Sequence, residues 1–187
     1  MIRFKSKRNQ VWLEGGRVHK LILGGACSEA EILRGLYVNG VAVPEVFSVD
    51  GDMIIMEYIE GSTLTDEIER EVLDADKLAV CLVDWFAAFY LACPGKIRGD
   101  VNCRNFIVAP GFKIYGVDFE DLQDGAKEKD AGRIAAFILN YAPEYTDYKK
   151  RLASAFIDCF CVVLGVEREV VLSEQALEID AMRERRK

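Results

Sequence analysis

Arg98-Gly99-Asp100-Val101-Asn102-Cys103-Arg104-Asn105-Phe106-Ile107-Val108-Ala109-Pro110-Gly111-Phe112-Lys113-Ile114-Tyr115-Gly116-Val117-Asp118 carries three polar side chains that packing does not explain: Asp100, Asn105 and Asp118. Two short apolar runs, Phe106 to Val108 and Phe112 to Val117, flank a Pro110-Gly111 turn, which reads as a hairpin. A hairpin returns Asp118 to the level at which the first strand began, beside Asn105. Loop and hairpin then deliver one base-like carboxylate and two oxygen ligands to the same mouth. Two carboxylates about 4 Å apart repel by roughly 4 kcal/mol at an effective dielectric of 20. A hard, oxygen-seeking cation such as Mg²⁺ removes that cost.

An Asp, an Asn five residues on, a hairpin and then Asp-Phe is the layout of phosphoryl-transfer enzymes of the protein-kinase type. Gly99-Asp100 through Asn105 resembles the His-Gly-Asp-x-x-x-x-Asn loop of atypical kinases, with Arg98 where that family has His. Asp118-Phe119-Glu120 resembles the metal-binding Asp-Phe-Gly, or the Asp-Phe-Glu of choline kinases and aminoglycoside phosphotransferases.

Working toward the N-terminus, three short strands are expected over 2–5, 11–14 and 17–23, the last two joined by Gly15-Gly16. Lys20 shares a strand face with Val18 and Ile22, so it sits at an edge, snorkels, or is paired. Ser28 and Glu31 read as a capping box opening a helix. That leaves Glu29, on the stripe of Leu33 and Leu36, as the carboxylate free to face inward. The resemblance implies that Lys20 grips the ATP phosphates and that Glu29 sets it. Ser6-Lys7-Arg8-Asn9-Gln10, in the place of a glycine-rich phosphate cover, contains no glycine, so a close backbone cradle is not expected.

Gly40 and Pro44 end the helix, and strands over 45–49 and 53–58 flank Asp50-Gly51-Asp52. Met56-Glu57-Tyr58-Ile59-Glu60-Gly61 then leaves the sheet. By resemblance this is the hinge, where an adenine takes backbone hydrogen bonds near Glu57 and Ile59. Val43-Pro44 and this hinge stretch resemble the small kinase subunit of the KEOPS tRNA-modification complex, a RIO-like kinase, and also aminoglycoside phosphotransferases.

Beyond residue 61 the pattern is helical. A short acidic helix over 64–73 precedes a nearly all-apolar one over 76–93, which contains Trp85, Phe86, Phe89 and Tyr90. Further helices are expected over 127–141 and 146–164, with a charged helix or frayed tail over 170–186. Asp130 falls in a first helical turn; the resemblance implies that an Asp so placed braces the catalytic loop, while capping alone accounts for a carboxylate there. The expected fold is therefore α+β and two-lobed like a protein kinase. An N-lobe over 1–60 holds a five-stranded antiparallel sheet, and a mainly helical C-lobe covers 61–187.

Composition narrows the function classes. The 187 residues are 51% apolar with a net charge of −7, which argues against wholesale nucleic-acid coating. No apolar run reaches a membrane span, and the first residues lack a signal peptide's apolar stretch. Six cysteines without a Cys-x-x-Cys pair suggest buried reduced thiols and a cytoplasmic protein, and one histidine leaves zinc poorly supplied. Basic clusters at Arg3, Lys5, Lys7, Arg8 and at Arg183, Arg185, Arg186, Lys187 read first as solvated ends.

The resemblance implies a kinase that moves the γ-phosphoryl of ATP to a hydroxyl. Asp100 serves as the base, Asn105 and Asp118 hold Mg²⁺ (or Mn²⁺), and Lys20 with Glu29 holds the phosphates. Residues 119–129 number 11, too few for the docking segment of a conventional protein kinase. Glu120 stands in place of a glycine able to flip to positive φ. Both features point to an enzyme without an activation-loop switch. Its acceptor lies on a protein, with a protein partner and tRNA engaged through the basic C-terminus, or on a small polar or cationic molecule. The third possibility is a non-catalytic pseudokinase scaffold, suggested by the glycine-free phosphate loop and the missing histidine.

Overall fold

The computed structural model describes residues 2–4, 9–120 and 122–186. It opens with β1 (Ile2–Phe4), β2 (Gln10–Glu14) and β3 (Arg17–Leu21), followed by α1 (Ala26–Val38), β4 (Val46–Asp50) and β5 (Met53–Glu57). The five strands form one antiparallel sheet in the order β1-β2-β3-β5-β4. The central pair is in register with Lys20 opposite Ile54, so period-two alternation puts the lysine on the inner face beside a fully buried isoleucine. Residues 6–8 of the expected phosphate loop, including Lys7 and Arg8, lie outside the described residues.

Helix α1 packs on this face through Ala26, Glu29, Ala30, Leu33 and Leu36. Its start corrects one expectation. The helix begins at Ala26 with Gly25 as N-cap and no side-chain cap, so Ser28 is interior and forms no capping box. Glu31 is exposed, and Glu29 faces inward because of the apolar stripe alone.

The C-terminal part is mostly helical. It comprises β6 (Ser62–Thr63), α2 (Leu64–Arg70), α3 (Ala75–Ala92), β7 (Lys96–Ile97), β8 (Phe106–Ala109), β9 (Lys113–Gly116), β10 (Gln123–Asp124), α4 (Lys127–Asn140), α5 (Asp147–Leu164) and α6 (Arg168–Arg185). Asp74 caps α3, accepting from the Lys77 amide at 2.8 Å. The helix has few polar side chains, so it becomes the centre of the core. Trp85 meets Phe86, Phe89, Phe106 and Phe119, while Phe86 meets Phe156 and Phe160 of α5. Phe106 opens the hairpin and Phe119 follows Asp118, so this aromatic cluster anchors both ends of the candidate site to α3.

The hairpin pairs Phe106 with Gly116 and Ala109 with Lys113. Phe112 belongs to the 3₁₀ turn Pro110–Phe112, with φ +67°, and not to the second strand as its sequence suggested. Helix α6 is ordered to Arg185 and lies against α4 so closely that a Cβ on Gly132 would come 2.5 Å from Cβ of Glu174. Of the six free cysteines only Cys103 is buried and Cys27 is exposed, so the expectation of a buried set is met at one position. Burial raises the Cys103 thiol to about 12. No helix among the described residues is long and apolar enough to cross a membrane.

Candidate active site

Lys20 is the hinge point of the geometry. Its ammonium lies 2.7 Å from Oε2 of Glu29, 2.8 Å from Oδ1 of Asp118 and 3.0 Å from Oε1 of Glu120. Strand β3, helix α1 and the end of the β8–β9 hairpin therefore meet at one nitrogen. Burial disfavours the lysine's charge, but Glu29 and then Asp118 outweigh it and push Lys20 above its ordinary value. Burial pushes the Glu29 carboxyl up, against the pull of Lys20 and of the Phe119 amide, which donates to it at 3.0 Å.

In the sequence Glu120 stands out as a replacement for glycine and, with Asp121 and Asp124, as part of an acidic stretch that suits a polar or cationic acceptor. The left-handed residue is instead Asp118, with φ +66°, and Glu120 enters the site by its side chain. It also accepts a hydrogen bond from Asn9, which ties the start of β2 to the segment after Asp118. Spacing gave no sign of either contact, because both cross more than 90 residues of chain.

The loop from Arg98 to Asn105 is held from below. Asp130 is fully buried in α4 and accepts from the amides of Arg98 at 2.8 Å and Gly99 at 3.3 Å, and from Tyr90 Oη at 3.0 Å. Of the two readings of Asp130, helix cap and loop brace, the contacts favour the second: its carboxylate is turned to the loop. Burial pushes it up, and those three donors, with Arg98's charge, pull it back. Arg133 donates to the Gly99 carbonyl at 2.9 Å, and Tyr141 donates to Oδ1 of Asn102 at 3.0 Å.

Asp100 projects into solvent and accepts from the Asn102 amide at 3.0 Å, an Asx turn that fixes its carboxylate. Asn105 is buried; its carbonyl accepts from the Val117 amide at 2.9 Å, which places Asn105 beside Asp118 as the hairpin reading required. Its side-chain nitrogen is buried without a hydrogen-bond partner. Loop and hairpin converge on the Arg98 guanidinium, whose Nη2 donates to the carbonyls of Val117 at 2.8 Å and Asp118 at 2.9 Å and lies 3.5 Å from that of Asp100. The sequence marked Arg98 only as a departure from histidine, yet it is buried where the two halves of the motif join. Burial lowers it to about 10, so it stays cationic at neutral pH.

Glu57 and Ile59 lie at and past the end of β5. Glu57 donates its amide to the Glu45 carbonyl at 2.9 Å and takes the Glu45 amide on its carboxylate at 3.2 Å. Its side chain lines a cavity of about 260 Å³ with Tyr37, Val43, Lys113 and Tyr115. The Glu57 amide is thus engaged with the β4 side.

Oxygen atoms of Glu29, Asp118 and Glu120 come within 4.8 Å of one another, and one ammonium against three carboxylates leaves the cluster net negative. The part-exposed carboxylate of Asp118 and the side-chain amide oxygen of neighbouring Asn105 add an all-oxygen ligand chemistry suited to Mg²⁺ or Mn²⁺.

A family model described as the RIO domain matches residues 4–133. The chain belongs to the RIO family. It is 36% identical over 156 residues to the KEOPS complex subunit Bud32 of Pyrococcus abyssi (strain GE5 / Orsay), covering 81% of this chain and 70% of that one. To the EKC/KEOPS complex subunit BUD32 of Encephalitozoon cuniculi (strain GB-M1) it is 31% identical over 157 residues, or 83% and 74% of the two chains. A relative from Archaeoglobus fulgidus, named "Probable serine/threonine-protein kinase BUD32 homolog", is 29% identical over 154 residues, or 81% and 72%. The RIO match ends inside α4, so it takes in Lys20, Glu29, the loop from Arg98 to Asn105, Asp118, Glu120 and Asp130 and leaves Tyr141, α5 and α6 outside.

Proposed function

We propose that this RIO-family chain is an ATP- and Mg-dependent phosphotransferase that moves the γ-phosphoryl of ATP to a hydroxyl. The observation that carries the reading is Lys20, in contact with Glu29 and with Asp118, 98 residues away. When bound, Mg-ATP supplies the transferable phosphoryl group, with Mg²⁺ or Mn²⁺ screening its charge. Lys20 holds the phosphates, and Glu29 keeps the ammonium in place. Asn105 and Asp118 hold the cation. Asp100, exposed at the mouth and fixed by its turn, orients the acceptor hydroxyl and takes its proton. The Glu57–Ile59 segment takes the adenine edge. The two lobes divide at residues 60 and 61, where β5 gives way to the helical part.

The named relatives support a protein acceptor and a KEOPS-type protein partner over a small-molecule acceptor. Direct tRNA binding by the basic C-terminus has less support, since Arg183 pairs with Asp180, Arg185 with Glu178 and Arg186 with Glu144. The part-exposed Asp118 and charged Lys20 argue against a pseudokinase, because both groups keep their chemistry.

Asp118→Ala tests the reading. It is expected to abolish Mg-dependent ATP turnover while leaving the thermal unfolding transition cooperative. Turnover near the wild-type rate from a folded variant overturns the proposal.

A further inference from the structure

We infer that Arg98 is a positioning residue for the peptide that carries Asp118, and that Gly116 is a glycine so that Trp85 and Arg98 both fit against the hairpin. The inference deepens the proposed phosphotransfer reading and rests on Asp118 as a cation ligand.

Asp118 is a non-glycine residue in the left-handed region, a conformation that persists only where the surroundings over-determine it. Two groups do so here. The Phe119 amide is held by Glu29 on one side, and the Val117 and Asp118 carbonyls are held by Nη2 of Arg98 on the other. The guanidinium is itself clamped, stacked 4.1 Å over the Phe119 ring, with Phe106 at 5.2 Å and Trp85 at 5.6 Å. A planar, permanently charged fork can stack and donate at once, which a lysine cannot.

Gly116 does not have positive φ, so its lack of a side chain is a matter of space. A Cβ there would come 2.3 Å from Trp85 Cζ2 and 2.9 Å from Arg98 Nη1. The hairpin thus gives up a side chain two residues before the ligand to admit the Trp85 ring and the guanidinium that lies over it.

Arg98 also carries a cost that a packing role would not explain. Its Nε and Nη1 are buried without hydrogen-bond partners among the described residues. Unpaired buried donors destabilise, and an apolar side chain of similar length avoids them. Arg98 is therefore retained for where it holds the backbone.

The experiment compares Arg98→Met, Arg98→Gln and Gly116→Ala with wild type, using urea unfolding, amide exchange of Phe119 in the ligand-free protein, and calorimetric binding of ADP with and without Mg²⁺. Arg98→Met removes two unpartnered donors but leaves the Val117 and Asp118 carbonyls without theirs, so its urea midpoint is expected below wild type with the transition still cooperative. Its Phe119 amide exchanges faster relative to the Val117 amide. The gain in ADP affinity brought by Mg²⁺ falls about ten-fold, the usual scale for losing a partner of a metal ligand. Metal-free ADP binding stays the same. Arg98→Gln, which keeps one planar donor, falls between. Gly116→Ala, whose Cβ meets Trp85 as well as Arg98, moves both readouts the same way. Unchanged Phe119 exchange and an unchanged Mg²⁺ effect in Arg98→Met overturn the inference; should that variant not fold, the same result in Arg98→Gln does so. A wild-type protein whose ADP binding ignores Mg²⁺ would instead overturn the cation-ligand reading, while amide exchange still decides the role of Arg98.

Discussion

On the sheet side of the cleft, Lys20 is held by charge: one ammonium against the carboxylates of Glu29, Asp118 and Glu120, drawn from three separate segments. On the loop side, the segment from Arg98 to Asn105 is held mainly through its backbone, by Asp130 on two amides, Arg133 on a carbonyl and Arg98 on the hairpin's end. The two arrangements differ in what can replace them. On the sheet side a phosphate oxygen can take over from a carboxylate at Lys20, and a cation can take over from the ammonium against the carboxylates, because these contacts act as charges. A backbone amide on the loop side has no such substitute. The cleft thus combines an exchangeable wall with a fixed one, as phosphoryl transfer requires of a site that binds and releases a triphosphate against a positioned base.

Breaking the fixed wall is expected to have the largest effect. Asp130→Ala leaves the Arg98 and Gly99 amides and the Tyr90 hydroxyl without their acceptor, beside a buried cation. At 1–3 kcal/mol for each unsatisfied buried group, a loss of about 4 kcal/mol is expected in urea unfolding. Asp130→Asn keeps an acceptor oxygen and is expected to lose about half of that. Equal losses for the two would mean that charge, and not hydrogen bonding, holds the loop.

How far this contrast was legible in the sequence follows from the same forces. Period-two and helical patterning placed Lys20 and Glu29 on facing surfaces, and the Pro110-Gly111 turn placed Asn105 beside Asp118, because burial of neighbouring apolar residues fixes side-chain direction. Residues whose partners are backbone atoms far along the chain left no such trace. From pattern alone Asp130 looked like a cap, because a carboxylate in a first turn is common, and only the fold brings residues 98 and 99 to it. Arg98 looked like an anomaly, because an arginine enclosed by aromatic rings has no periodic signature. Ser28 misled in the opposite sense. The cap pattern was present, but the apolar stripe starting at Ala26 extended the helix past it.

Removing the cation from the exchangeable wall comes next. Lys20→Met leaves Glu29 a buried carboxylate without its ion-pair partner, and is expected to cost about 3 kcal/mol at pH 7. The pH dependence sharpens the test. In wild type the folded-state value of Lys20 is raised, so its contribution is present below its ordinary 10.5 and is lost only as pH rises through that higher value. The pair is therefore constant across neutral pH. In the variant, the folded-state value of Glu29 rises further above its ordinary 4.5. The deficit should be small below 4.5 and grow as pH rises through the Glu29 value, read as the urea midpoint difference between pH 4 and pH 8. A pH-independent deficit would show that packing, and not charge, dominates at Lys20.

Glu120→Gln probes exchangeability itself. Its side chain is part-exposed and its contact with Lys20 is the longest of the three, so stability should change by less than about 1 kcal/mol. Affinity for metal-free ADP should rise, since one fewer carboxylate competes with phosphate for the ammonium. A fall in that affinity would mean that Glu120 orders the cleft instead of competing within it.

The smallest effect tests whether the fixed wall extends to the C-terminus. Glu178 of α6 lies 3.5 Å from Arg133, which holds the Gly99 carbonyl, and Arg185 holds Glu178 in turn at 2.5 Å. Deleting residues 183–187 removes Arg185 from this chain of contacts along with two other exposed pairs, for a stability change of about 0.5 kcal/mol. Glu178 stays nearly buried and keeps Arg133, so turnover on a small hydroxylated acceptor should be unchanged by the deletion. Turnover that depends on a protein partner should fall if the last turn of α6 is part of the docking surface. A loss on the small acceptor as well would place the end of α6 in the machinery of the loop, and the fixed wall would then begin at Arg185 and not at Asp130.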